Sequence, residues 1–185
     1  MGLKIITAPS TEPVSLVEAK AHLRVDHADE DALISSLVSA AREECEHLLE
    51  RAIAEQTLEL SIDEFPADGI KLPRPPVMSI TSVTYVDEDG VTQTMASGDY
   101  YLDDAQAPAW LLPAYGLDWP AARAEANAVK VRYVAGYADC PELIRAWILL
   151  RIGKLYANRE ADSDKPAQPS PFVDRLLDRY RVWGV

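Results

Sequence analysis

Residues 29–51 read DEDALISSLVSAAREECEHLLER. At about 100° per residue, Ile34, Leu37, Val38, Ala41, Cys45, Leu48 and Leu49 gather in one stripe roughly 120° wide, with Glu43, Glu46 and Glu50 opposite. The spacing predicts a long amphipathic helix with an acidic outer face. Upstream, Ser15 with Glu18 three residues later has the form of a capping box, in which each side chain satisfies a free amide of the other. A first helix is expected from Ser15 to about Arg24, with Leu16, Ala19 and Leu23 as its apolar stripe and Lys20 bordering it.

Downstream the period changes from helical to alternating. QTLELSI at 56–62, ITSVTYV at 80–86 and VKVRYV at 129–134 read as strands, and LPRPP at 72–76 is a proline-fixed connection. Asp89-Gly90 predicts a hairpin turn leading to residues 91–95, and 99–102 and 109–112 read as short strands. Helical character returns after Pro141, which suits a first turn. Leu143, Ile144, Trp147, Ile148, Leu149, Ile152, Leu155 and Tyr156 lie nearly all round that helix, so it is expected to be buried on more than one side. Residues 161–171 read as a polar, proline-rich loop. A last short helix is expected from Ser170-Pro171 to about Tyr180, with Asp174 in its first turn.

Helices, then strands, then helices predict an α+β fold. The long helix would pack on the buried C-terminal helix, with a small antiparallel sheet inserted between them in sequence. One domain over 1–185 is expected, with N-terminal helices at 15–52, a strand-rich insertion at 56–136 and C-terminal helices at 141–180.

The chain has 185 residues, 48% of them hydrophobic, enough for a substantial core and too many for a disordered chain. Its net charge of -12 argues against a tight, non-specific nucleic-acid binder, which needs clustered Lys and Arg to displace counterions. MGLKIITAPS makes a poor signal peptide. The apolar run 143–156 contains Arg145, Arg151 and Lys154 and is shorter than the roughly 20 residues of a membrane span. Cys45 and Cys140 show neither zinc nor redox-pair spacing and are expected to be inert thiols in a reducing setting.

No motif carries convincing chemistry. Asp26-His27-Ala28-Asp29-Glu30-Asp31 is rich in oxygen ligands but lacks the glycine and the spacing of a calcium loop; acids at a helix start explain it. Asp87-Glu88-Asp89-Gly90 is explained by the hairpin. There is no HExxH pair, phosphate loop or GxSxG elbow. Trp110, Tyr115, Trp119 and Tyr137 read as packing residues rather than a base-stacking platform, because Lys and Arg are not interleaved with them. The expectation is no catalytic residue, no cofactor and no metal. Tyr180, Val182 and Trp183 form an aromatic, apolar stretch that either folds back or docks on a neighbouring subunit.

Several stretches together resemble one family: EPVSLVEAKAHLRVD at 12–26, LPRPPVMSITSVTYVDEDGVTQ at 72–93, and VRYVAGY, YANRE and YRVWGV further on. They are similar to the head–tail connector proteins of tailed phages and prophages, some of whose relatives are described only as phage proteins with a role in DNA packaging. These motifs are architectural and carry no catalytic residue. The resemblance implies a structural subunit made in the host cytoplasm and placed at the virion head–tail junction. It implies a closed ring of copies beneath the portal protein, extending the DNA channel and offering a docking surface to head-completion or tail proteins. DNA would pass through without tight binding, since a net acidic ring repels a polyanion. Two other classes compete: a packaging accessory binding DNA through Arg145, Arg151, Lys154 and Arg159, and a metal-dependent hydrolase using Asp26–Asp31.

Overall fold

A computed structural model describes residues 1–158, 173 and 175–182. The expected 161–171 loop, Asp174, Arg159 and Trp183 lie outside the described residues. The fold is α+β, and the chain divides into two compact units, residues 1–10 with 55–137 and residues 11–54 with 138–185.

The first unit is made of strands: β1 (Gly2–Thr7), β2 (Gln56–Ile62), β3 (Ile70–Leu72), β4 (Val77–Val86), β5 (Thr92–Thr94), β6 (Tyr100–Asp103), β7 (Ala109–Pro113) and β8 (Val129–Ala135). They form a five-stranded sheet, β1-β2-β8-β4-β5, and a three-stranded sheet, β3-β7-β6, both antiparallel throughout. Alternation sets the faces. One cross-strand row is Leu3, Leu60, Val131 and Val83, and the next on the same face is Ile5, Leu58, Tyr133 and Ile80. Leu58, Leu60, Val83, Val131 and Tyr133 are buried, as are Ile70, Leu72, Ala109 and Leu111 of the smaller sheet. On the other face, Lys4, Glu59, Arg132 and Ser82 form a row, and Arg132 donates to Glu59 at 2.7 Å. The Tyr133 hydroxyl, at the centre of the large sheet, donates to the Pro73 carbonyl at 2.7 Å and so ties down the proline-fixed connection. Phe65 stacks on Trp119 with ring centroids 4.9 Å apart and meets Tyr85 edge-on.

The alternating stretches all form strands as their period predicts. Two short strands escaped that reading. β1 is six residues of edge strand, and β3 is three residues long. In β1 the adjacent Ile5 and Ile6 break the alternation, and β3 is too short to show one.

The second unit holds α1 (Leu16–Leu23), α2 (Asp31–Leu49), α3 (Glu142–Ala157) and a 3₁₀ turn at Asp178–Tyr180. Ser15 and Glu18 form the capping box, and Arg24 ends α1 in the left-handed conformation. α2 packs on α3, and α1 touches both.

Two burial patterns differ from the sequence reading. In α2, Glu46 is buried rather than on the outer face, and Leu48 is exposed. The buried sector runs from Ala41 through Ile34, Cys45, Val38 and Leu49 to Arg42 and Glu46, rotated about 50° from the apolar stripe. The cause is a polar group with partners. Arg42 donates to Glu46 and to Glu12, each at 2.8 Å, and Glu46 accepts the backbone N–H of Ile53 at 2.7 Å and of Ala54 at 3.4 Å. In α3 only one face is fully covered, by Ile144, Trp147, Ile148 and Ile152, while Leu143 and Leu150 remain 41% and 40% exposed.

Candidate functional site

The acidic segments are occupied by structural contacts. Asp31 accepts from Lys20, Glu30 accepts the Tyr156 hydroxyl, and His27 lies 3.6 Å from Asp29. At the β4–β5 hairpin, the Asp87 carboxylate accepts the backbone N–H of Asp89 at 3.1 Å and of Val91 at 2.8 Å, plus the Gln93 side chain at 2.8 Å. The Gln93 bond, with the turn's backbone amides, holds that carboxyl below the usual range. The loop Glu88-Asp89-Gly90 closes with Gly90 at φ +85°, the left-handed position such a hairpin needs. Among the described residues, no group of three or more His, Cys, Asp or Glu is placed to hold a metal ion. No described helix is long and apolar enough to cross a membrane.

The thiols are free. Burial pushes Cys45 well above the ordinary thiol value and Cys140 up to about 11, which keeps both protonated and weakly nucleophilic. The aromatic residues read from the sequence do not converge. Trp119 is in the Phe65 stack, Trp110 lies half-buried on β7, Tyr137 is half-buried after β8, and Tyr115 is fully exposed. An open groove beside β4 and β5 is lined by Tyr85, Met95, Leu117, Pro120, Asp99 and Asp118.

The basic residues of α3 are committed to acids of their own unit. Arg145 pairs with Glu18 of α1, and Arg151 donates to Glu44 of α2 at 2.6 Å. Lys154 is exposed. The bond from Arg145 holds the Glu18 carboxyl below its ordinary value of 4.5, against a smaller opposing effect of burial. A depressed carboxyl stabilises the fold above its unfolded value, and that contribution is lost as pH falls through the folded value. Glu18→Gln should therefore lower the unfolding free energy near neutral pH, and the difference from the parent should shrink as pH falls below the ordinary carboxyl value. Denaturant titrations across that range check it, and a pH-independent difference would count against the pairing.

Tyr180 and Val182 are half-buried. The Val182 N–H donates to Leu49 O at 3.3 Å, and the Arg51 guanidinium donates to the Tyr180 carbonyl, so the backbone here folds back on the end of α2. What stands out instead is exposed apolar surface: Leu143 and Leu150 on α3, Val17 on α1, Val91 before β5, and Leu3, Ile5 and Ile6 on β1.

Residues 13–95 match the phage gp6-like head-tail connector protein family. That match covers somewhat under half of the chain. Solved structures extend the likeness to the rest of the chain. A chain in the neck of an empty gene transfer agent particle, computed with C6 symmetry, superposes with a TM-score of 0.83 at 25% identity, covering 100% of this chain and 97% of that one. Chains of the native gene transfer agent virion (0.83, 24% identity) and of a native neck computed with C12 symmetry (0.81, 24%) share the fold, again over 100% of this chain and 97% of each. Among curated protein sequences none matches this chain at a significant level. The matched family and the neck chains are structural proteins, and the likeness points to a structural rather than an enzymatic role. Motif reading largely missed the exposed apolar residues, because such positions on ordinary helices and strands form no motif.

Proposed function

We propose that this chain is a connector subunit that assembles as a closed ring at the head–tail junction, beneath the portal protein. The ring would extend the DNA channel and offer its far side to head-completion or tail proteins. The observation that carries this reading is the full-length match to a chain in a particle neck computed with cyclic symmetry. Closed rings need a heterologous contact, one patch meeting a different patch on the next copy. Exposed apolar residues on several separate elements provide such patches. Tyr180 and Val182, with Trp183 beyond them, mark the end of α2 as one further contact surface, for the next subunit or the portal.

The net charge of -12 supports sliding over gripping. Salt bridges to Glu18 and Glu44 leave Arg145 and Arg151 poorly placed to neutralise phosphates. Electron microscopy of assembled particles, or of portal–connector mixtures, tests the proposal. The expected result is density for this chain in a ring at the junction, and its absence there would reject the reading. Salt-dependent DNA binding by the purified protein would favour the packaging accessory instead.

A further inference from the structure

We propose that the two open edges of the five-stranded sheet are the complementary halves of one subunit contact, β5 of one copy pairing with β1 of the next. This deepens the ring reading and rests on it. Among the described residues each edge strand has a single strand neighbour, β2 for β1 and β4 for β5. A long unpaired edge invites another strand, and proteins that avoid this usually blunt it with proline, inward charge or cover. β1 has no proline; Lys4 is its one charged side chain, and the register shift between Ile5 and Thr7 is its one irregularity. All six of its residues are exposed. Leu3 and Ile5 lie in the same cross-strand rows as Leu60 and Leu58, which are buried, yet they are 38% and 62% exposed. β1 is the uncovered end of a buried face. Ile6, at the register shift between Ile5 and Thr7, adds a third exposed apolar side chain.

The opposite edge is shaped to receive it. Val91, leading into β5, is 54% exposed, and Thr92, Gln93 and Thr94 are β-compatible and exposed. The charges are complementary. Residues 1–11 contain Lys4 and no acid, whereas the β4–β5 turn holds Asp87, Glu88 and Asp89. Arg123 lies beside Gly90 but is itself paired with Glu125 at 3.5 Å, so the turn stays net negative. A positive edge and a negative edge on one sheet favour head-to-tail joining over two like edges meeting. The strand count also fixes a direction. Five alternating strands leave β1 and β5 running the same way, so head-to-tail continuation joins them parallel, whereas a two-fold β1–β1 contact would be antiparallel.

Cysteine cross-linking reads this directly. Thr92, Thr94 and Lys4 share one face of the sheet by the cross-strand register. The variants are Lys4→Cys with Thr92→Cys, and Lys4→Cys with Thr94→Cys, covering two registers, each in a Cys140→Ser background that keeps buried Cys45. Within one molecule the outer strands are about 19 Å apart, beyond the reach of a disulfide. Oxidation of the concentrated protein, up to its solubility limit, is expected to give a ladder of multimers from at least one double variant and none from the single variants. Lys4→Glu should weaken that association about fivefold, and adding Glu88→Lys should restore most of it. No ladder from either double variant, or dimers from Lys4→Cys alone, would overturn the edge pairing. A ring seen at the junction without the ladder would leave the connector reading intact and remove only this contact. Absence of the ring would remove both.

Discussion

Arg42→Ala is expected to lower the unfolding free energy by about 3–5 kcal/mol, the usual effect of removing one partner from a buried ion pair. The side chains of Arg42 and Glu46 are only 8% and 10% exposed. Burial alone would depress the Arg42 pKa, but its hydrogen bond to Glu12 and the charges of Glu46, Glu12 and Glu43 outweigh that and raise it. Truncation strands the Glu46 charge in a poorly hydrated place. It also loosens the acceptor for the Ile53 and Ala54 amides, which turn the chain out of α2. Typical domain stability is only about 5–15 kcal/mol, so the variant should be close to unfolding. Urea titration of Arg42→Ala beside Glu43→Ala, whose side chain is largely exposed, checks this. Equal small losses, below about 1 kcal/mol in both, would show the group to behave as a surface pair.

The second large effect is expected at Tyr133. It is among the largest side chains buried without residue, at 0% exposure on the strand between β2 and β4. Tyr133→Ala should cost about 3–5 kcal/mol through lost burial and an unfilled cavity. Tyr133→Phe should cost only about 1 kcal/mol, because it removes one hydrogen bond to Pro73 and keeps the ring. The ratio of the two losses is the informative quantity. If Tyr133→Phe approached the alanine variant, anchoring of the 73–76 connection would matter more than packing. Both variants should be read by the unfolding transition of the whole chain.

The sequence made the element types plain where the period was long and clean. α2 runs 19 residues, and β2, β4 and β8 alternate over seven or more, so side-chain direction leaves a visible trace. It misplaced the buried sector of α2 for a physical reason. A hydrophobic stripe assumes that charged residues face water, and Arg42 and Glu46 do not, because Glu12 and the residue 53–54 amides lie far off in sequence or beyond the helix end. The α3 reading erred the other way. Apolar residues nearly all round predict cover on more than one side, but Leu143 and Leu150 are left open. The same gap hid the exposed apolar positions that the proposed ring would use. A leucine in a core and a leucine awaiting a neighbour look alike in a one-dimensional pattern, and only the fold separates them. The family resemblance reached the connector role by a different path, through architectural stretches such as EPVSLVEAKAHLRVD.

The Arg42 guanidinium also has a mechanical meaning. It holds Glu12, just inside the point where the chain enters the helical unit, and through Glu46 it holds Ile53 and Ala54, just before the chain leaves it. Both leads are therefore clamped by one charged knot in addition to the aliphatic packing of Val14 and Ile53. Because the knot is shielded from solvent, dissolved ions should weaken it little. A tug on either lead would be resisted almost equally in dilute buffer and in brine.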